Sequence, residues 1–178
     1  LAVSKAQRAA EILLKKRRTA RIEIADPFDF VFDRQNEVLR CESRILAILA
    51  GRRGGKTVVA GAQLLIGALR HAGSISLYLA LSKDSARDIM WPELLAWGKR
   101  LGLPDSCFID HRLRVVLPNG SQIIVAGTDD IRHIETRRGS KWAGVIIDEC
   151  GSQPNELLIS LINLLRPGLT DLQGYLWL

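Results

Sequence analysis

Apolar positions recur along the chain with two periods, and each period marks a kind of element. Ala6, Ala9, Ala10, Leu13 and Leu14 form a helical stripe, and Ser4 with Gln7 has the spacing of a capping box. A helix is therefore predicted from about Lys5 to Arg18. Asp26-Pro27 breaks the pattern. From Pro27 to Phe32 aromatic and acidic side chains alternate, which reads as an extended cover over the core. A short helix is predicted around Gln35 to Cys41. Arg44 to Ala50 is apolar and fits a buried strand. A glycine-rich turn, Gly51 to Gly55, leads into a helix from about Lys56 to Arg70, closed by the His71-Ala72-Gly73 stop signal. Ile75 to Ala80 is a second strand. Ser82 caps a further helix carrying Ala86, Ile89, Met90, Leu94, Leu95 and Trp97, and Pro92 is expected to kink it or restart it.

The second half of the chain is built from shorter units. Leu113 to Leu117 and Gln122 to Ala126 flank Pro118-Asn119-Gly120-Ser121, a hairpin signal. Thr128 to Lys141 mixes both signs of charge with no apolar period and reads as a loop. Gly144 to Ile147 is a third apolar strand and ends in Asp148-Glu149. Pro154 to Leu165 has a helical pattern, and Gly174 to Leu178 that of a strand. No internal repeat or low-complexity tract occurs.

Composition narrows the class. The chain has 178 residues, 47% hydrophobic and 25% charged, which suits one globular domain with a short appendage and excludes disorder. No apolar run is long enough for a transmembrane helix, and the charged N-terminal segment does not resemble a signal peptide. Cys41, Cys107 and Cys150 lie far apart, which argues against a disulfide scaffold or a zinc site and suits a reducing compartment. His71, His111 and His133 are scattered without ligand spacing. Trp91 and Trp97 fit the core better than a base-stacking platform. The formal charge is +6, and its excess sits in residues 1–25, where Lys5, Arg8, Lys15, Lys16, Arg17, Arg18 and Arg21 face only Glu11 and Glu23. Such a segment can attract phosphates or be a solvated helix face. The domain division expected is a basic helical segment over 1–25 and a nucleotide-binding domain over 26–178.

Ala50-Gly51-Arg52-Arg53-Gly54-Gly55-Lys56-Thr57 fits a relaxed Walker A pattern, with Ala in place of the first Gly. A triphosphate needs several inward backbone N–H donors, so the loop needs residues that tolerate unusual dihedrals. Gly51, Gly54 and Gly55 supply them, and the next helix turns its N-terminus to the phosphates. Lys56 is the expected β,γ-phosphate ligand, and Thr57 the expected Mg²⁺ ligand. The strand–loop–helix context favours this over a chance glycine-rich turn.

Val145-Ile146-Ile147-Asp148-Glu149 is the complementary acidic pattern, Walker B. Asp148 is expected to hold Mg²⁺ through water and Glu149 to orient and deprotonate the attacking water. That base distinguishes the pattern from a nucleotide kinase, which must exclude water. Arg52 and Arg53 lie in the phosphate loop, where either can sense the γ-phosphate or simply face solvent. Arg138, in Arg137-Arg138-Gly139, is a candidate finger for a neighbour's nucleotide or a solvated loop arginine. Gln35 can pair with an adenine edge or lie on a helix surface.

Taken in order, these segments resemble the ATPase domain of large terminase subunits, the DNA-packaging motors of tailed bacteriophages. The features are a basic N-terminal helix, Gln35, Gly-Arg-Arg-Gly-Gly-Lys-Thr, Ser-Leu-Tyr-Leu-Ala, Leu-Pro-Asn-Gly-Ser, Arg-Arg-Gly before Val-Ile-Ile-Asp-Glu, and the closing Leu-Arg-Pro-Gly-Leu-Thr-Asp-Leu-Gln-Gly-Tyr-Leu-Trp-Leu. The resemblance implies a three-layer α/β P-loop NTPase of the additional-strand, RecA-like type, with a mostly parallel sheet and an antiparallel hairpin. It implies ATP and Mg²⁺ as cofactors, double-stranded DNA as track, and the portal protein, the small terminase subunit and neighbouring copies in a homo-oligomeric ring as partners. No membrane is implied, and the place of action is the host cytoplasm. By similarity Gln35 recognises adenine, Arg52 or Arg53 is the loop arginine, and Arg138 is the trans-acting finger. The family's strand with its coupling motif and its nuclease domain are absent from this sequence, so the domain is expected to be C-terminally truncated. Two other functions remain open: a P-loop helicase or translocase of another family, and a prophage fragment that binds nucleotide without turnover.

Overall fold

The computed structural model describes residues 25–51, 53–130 and 139–178. The helix expected over Lys5 to Arg18, and Arg52 and Arg138, lie outside the described residues. Among the described residues seven strands form a single sheet: β1 (Ile45–Leu46), β2 (Ile75–Ala80), β3 (Phe108–Ile109), β4 (Arg114–Val116), β5 (Gln122–Gly127), β6 (Trp142–Ile147) and β7 (Tyr175–Trp177). Their spatial order is β1-β7-β6-β2-β5-β4-β3. The first five in that order run parallel, while β4 pairs antiparallel with β5 and with β3. Two strands, β7 and β6, therefore stand between β1 and its successor in sequence, β2. The one strand between β1, which leads into the glycine-rich loop, and β6, which ends at the acidic pair, is β7, the additional-strand arrangement that the family resemblance implies.

Among the described residues four helices complete the layers: α1 (Asp33–Leu39), α2 (Lys56–Arg70), α3 (Lys83–Leu101) and α4 (Asn155–Leu165). Every residue of β2 and β6 is buried, as parallel strands covered on both faces must be. Side chains alternate between the two faces. On β2, Tyr78 and Ala80 join the core under α2 and α3, while Ile75, Leu77 and Leu79 join the core shared with α4. On β6, Ile146 faces the first core, and Val145 and Ile147 the second.

The α2–α3 contact depends on one small residue. A Cβ on Gly61 would come within 2.9 Å of the Trp97 ring, so the absence of a side chain admits the indole. Trp97 is fully buried, and its Nε1–H donates to the Val58 carbonyl at 3.1 Å. The hairpin loop serves α2 from its other end. Asn119 Nδ2 donates to the Ala68 and Leu69 carbonyls at 2.9 and 3.3 Å, and Ser121 Oγ to the Ala68 carbonyl at 2.6 Å. These bonds satisfy terminal carbonyls that have no partner within the helix.

Two expectations are corrected, and one is narrowed. Pro27–Phe30 is a 3₁₀ turn, not an extended cover, because Asp26 Oδ1 accepts the Phe28 N–H at 3.0 Å and Pro27 presets the first turn. The segment Arg44 to Ala50 is not a buried strand. It pairs only with β7, at the sheet edge, and Ile45 and Leu49 are exposed. Of the two outcomes expected at Pro92, a kink or a restart, the restart does not occur, and α3 continues to Leu101. Pro92 and Asp88 are both exposed, so the carbonyl that loses its helical donor can face water.

Candidate functional site

In a parallel sheet each strand delivers its C-terminal end to the same edge, where ligands bind. Here β1 leads into the glycine-rich loop and α2, β6 leads into Asp148-Glu149, and β2 lies beside β6. The chain thus brings residues about ninety positions apart in sequence to one sheet edge. Lys56, Asp148 and Glu149 line a single cavity of about 230 Å³, with Ile48, Cys150 and Trp177 among its walls.

The loop has the backbone character its sequence calls for. Gly55, just before α2, is left-handed at φ 77°, and a Cβ there would lie 2.5 Å from Gln35 Nε2. Gly54 N–H donates to the Gly51 carbonyl at 3.1 Å, tightening the turn. Arg53 is exposed and also left-handed, at φ 62°. Lys56 Nζ donates to the Ala50 carbonyl at 3.0 Å, so the ammonium folds back over the loop it follows. Thr57, second residue of α2, is half-buried. Arg53 and Thr57 do not line the cavity.

Gln35 is buried, and both ends of its amide have protein partners. Nε2 donates to the Gly55 carbonyl at 3.4 Å, and Oε1 accepts the Phe32 N–H at 3.3 Å. It therefore ties the start of α1 to the glycine-rich loop, and it does not line the cavity.

The acidic pair is split by a backbone turn. Asp148 is half-buried and its N–H donates to the Leu79 carbonyl at 2.8 Å, extending the β6–β2 ladder by one bond. Its Oδ2 accepts the Tyr78 hydroxyl at 2.6 Å, and its Oδ1 accepts the Glu149 N–H at 2.9 Å. Glu149 is exposed and left-handed at φ 50°, ψ 38°. An L-residue with a Cβ pays about 1–2 kcal/mol to sit there, and such strain is concentrated at functional positions. Burial, reinforced by the Asp148 charge, pushes the Tyr78 phenol far above its ordinary range, so it remains a donor throughout neutral pH.

These residues fit a magnesium–nucleotide complex. Among the described residues no three His, Cys, Asp or Glu side chains gather to hold a metal. Mg²⁺ does not need such a group, because it keeps several waters and binds through one or two carboxylates plus substrate phosphates. Asp148 and the Thr57 hydroxyl are hard oxygen donors of that kind, and the N-terminus of α2 favours phosphate.

Sequence reasoning missed Tyr78. The available signal is an alternation: Tyr78, on β2, and Asp148, one residue past β6, share the face that carries Ile146. It also missed Asp129, whose Oδ1 accepts the Lys83 N–H at 3.1 Å at the start of α3.

No protein-family model matches the sequence, and no curated protein matches it. Solved structures do. The large terminase ATPase domain of Thermus phage P74-26 superposes with a TM-score of 0.66 at 21% identity, over 88% of this chain and 69% of that one. The chain has the fold of a phage large terminase ATPase domain. An arginine-to-alanine variant of the same domain gives 0.61 at 20% identity, over 83% and 63%. The large terminase of a thermophilic bacteriophage gives 0.62 at 17% identity, over 82% of this chain and 37% of that one. The chain thus spans about two thirds of the isolated terminase domains and little more than a third of the longer terminase. No helix among the described residues is long and apolar enough to cross a membrane.

Proposed function

We propose that this chain is the ATP-hydrolysing part of a DNA-translocating motor of the terminase type. The observation that carries the reading is the single cavity lined by Lys56, Asp148 and Glu149 on this fold. A phosphate-binding cation and two carboxylates, one held inward and one free, are what water attack on a γ-phosphate requires.

Gly51, Gly54 and Gly55 offer backbone N–H groups to the phosphates, and Lys56 exchanges the Ala50 carbonyl for β- and γ-oxygens. Thr57 and Asp148 would hold Mg²⁺, which when bound would supply positive charge against the phosphate oxygens. Glu149 takes a proton from water as its oxygen bonds to the γ-phosphorus. The bond from that phosphorus to the β–γ bridging oxygen breaks, and ADP leaves with the electron pair. Arg52 or Arg53 senses the γ-phosphate from within the loop, and Arg138 reaches the nucleotide of a neighbouring copy in a ring. Gln35 reads the adenine edge by giving up one of its two amide partners. The ATPase domain occupies 26–178, after the basic segment 1–25. The further partners are double-stranded DNA, the portal protein and the small terminase subunit, in the host cytoplasm.

Phosphate release measured over a wide range of protein concentration, with and without double-stranded DNA, tests this reading. A specific rate that rises with concentration and with DNA, and falls in Arg138→Ala, supports a motor completed between subunits. A rate indifferent to both would overturn the motor. Strand separation of a forked duplex would point to a helicase, and nucleotide binding without turnover to an inert fragment.

A further inference from the structure

We propose that Tyr78 is the positioning residue of the acidic pair: its buried hydroxyl fixes the Asp148 carboxylate in the orientation that a magnesium-bound nucleotide meets. This rests on the nucleotide reading above. Tyr78 sits on β2 opposite Ile146 of β6, two residues before Asp148, and none of its surface is exposed. From that register the ring runs along the sheet to the site edge, where its hydroxyl meets Asp148 Oδ2 at 2.6 Å. This is the short range of a charge-assisted O–H···O⁻ bond, stronger than a neutral one.

The carboxylate is held at both ends. Glu149 N–H fixes Oδ1 from its own backbone, and Tyr78 fixes Oδ2 from the neighbouring strand. A carboxylate offers about four acceptor sites, so each oxygen keeps capacity for a water on the metal. A phenylalanine would fill the same core volume. The hydroxyl is therefore the part of Tyr78 that packing does not need, and its partner is the one acid in this cavity that is half-buried. Outer hydrogen bonds that orient a ligating side chain are worth about 10–100-fold in metal affinity or activity.

The test is Mg²⁺-dependent binding of a fluorescent ATP analogue, read without turnover. In excess chelator, Tyr78→Phe should bind the analogue within about twofold of wild type. On titration with Mg²⁺ its half-saturation should move to at least about tenfold higher concentration. Asp148→Asn should produce the same loss, and adding Tyr78→Phe to it should change nothing more. An unchanged Mg²⁺ midpoint in Tyr78→Phe overturns the proposal, whatever happens to its melting temperature. If that variant does not fold, the wild type still decides. The chain has two tyrosines, Tyr78 and Tyr175, and ring-carbon labelling gives each an NMR signal. Adding Mg²⁺ to the nucleotide complex should move the Tyr78 signal and leave that of Tyr175, whose hydroxyl donates to the Gln63 carbonyl. A stationary Tyr78 signal overturns the proposal. Wild type without any Mg²⁺-dependent binding would overturn the nucleotide reading itself, and this shows before any variant is compared.

Discussion

Asp148 and Glu149 are neighbours in sequence with opposite environments. The first is drawn in by Tyr78, and the second is turned out by a left-handed backbone. That turn makes a stability test independent of chemistry. Glycine has no Cβ penalty at such dihedrals, so Glu149→Gly should be about 1 kcal/mol more stable than Glu149→Ala in urea denaturation. Equal stabilities would mean the turn relaxes in solution. The pair was legible from the apolar run before it, and Lys56 from its glycines. Their opposite environments were not, because the turn at Glu149 carries no glycine to announce it. Gln35 was noticed as a candidate, but its bond to the Gly55 carbonyl joins residues twenty positions apart and has no local signal.

Elements with a long regular period were read closely. The helix predicted from Lys56 to Arg70 and the strand predicted from Ile75 to Ala80 coincide with α2 and β2. The errors fell where local pattern competes with position in the fold. Arg44 to Ala50 is apolar enough for a core strand, yet only one neighbour pairs with it. Of the kink or restart expected at Pro92, the restart is excluded, since α3 carries that residue on a wet face. Two substitutions probe how α2 is held. Gly61→Leu should cost about 1–3 kcal/mol by forcing the Trp97 ring away, with a change in tryptophan fluorescence. Asn119→Ala should cost about 1 kcal/mol through lost bonds to the Ala68 and Leu69 carbonyls. A neutral Asn119→Ala in denaturant titration would show that water replaces the hairpin as the cap.

For the whole molecule, the ordering of motifs was readable because a strand–loop–helix unit and a later acidic strand end suit few architectures. No local pattern gives the strand order, since the insertion of β7 and β6 between β1 and β2 is a long-range choice, and only the family resemblance implied an additional strand. Both tyrosines are pushed above their ordinary range, chiefly by burial. An unfolded chain ionises them near pH 10, the folded chain only above that. Below about pH 10 both states keep the protons and the stabilisation is whole. As pH rises further the unfolded state alone loses protons, so stability falls. Tyrosinate absorbance should therefore appear together with loss of helical circular dichroism. Its appearance near pH 10 in a folded chain would contradict the burial of both phenols.

The most direct measurement is steady-state phosphate release from ATP with Mg²⁺ by the wild type beside Lys56→Ala and Glu149→Gln. Turnover is expected in the wild type. Lys56→Ala should lose nucleotide binding. Glu149→Gln should bind nucleotide normally while its rate falls by about 10²–10⁴-fold, the usual contribution of a general base. A Glu149→Gln rate equal to that of the wild type, or turnover that survives Lys56→Ala, would show that this cavity is not where ATP is hydrolysed.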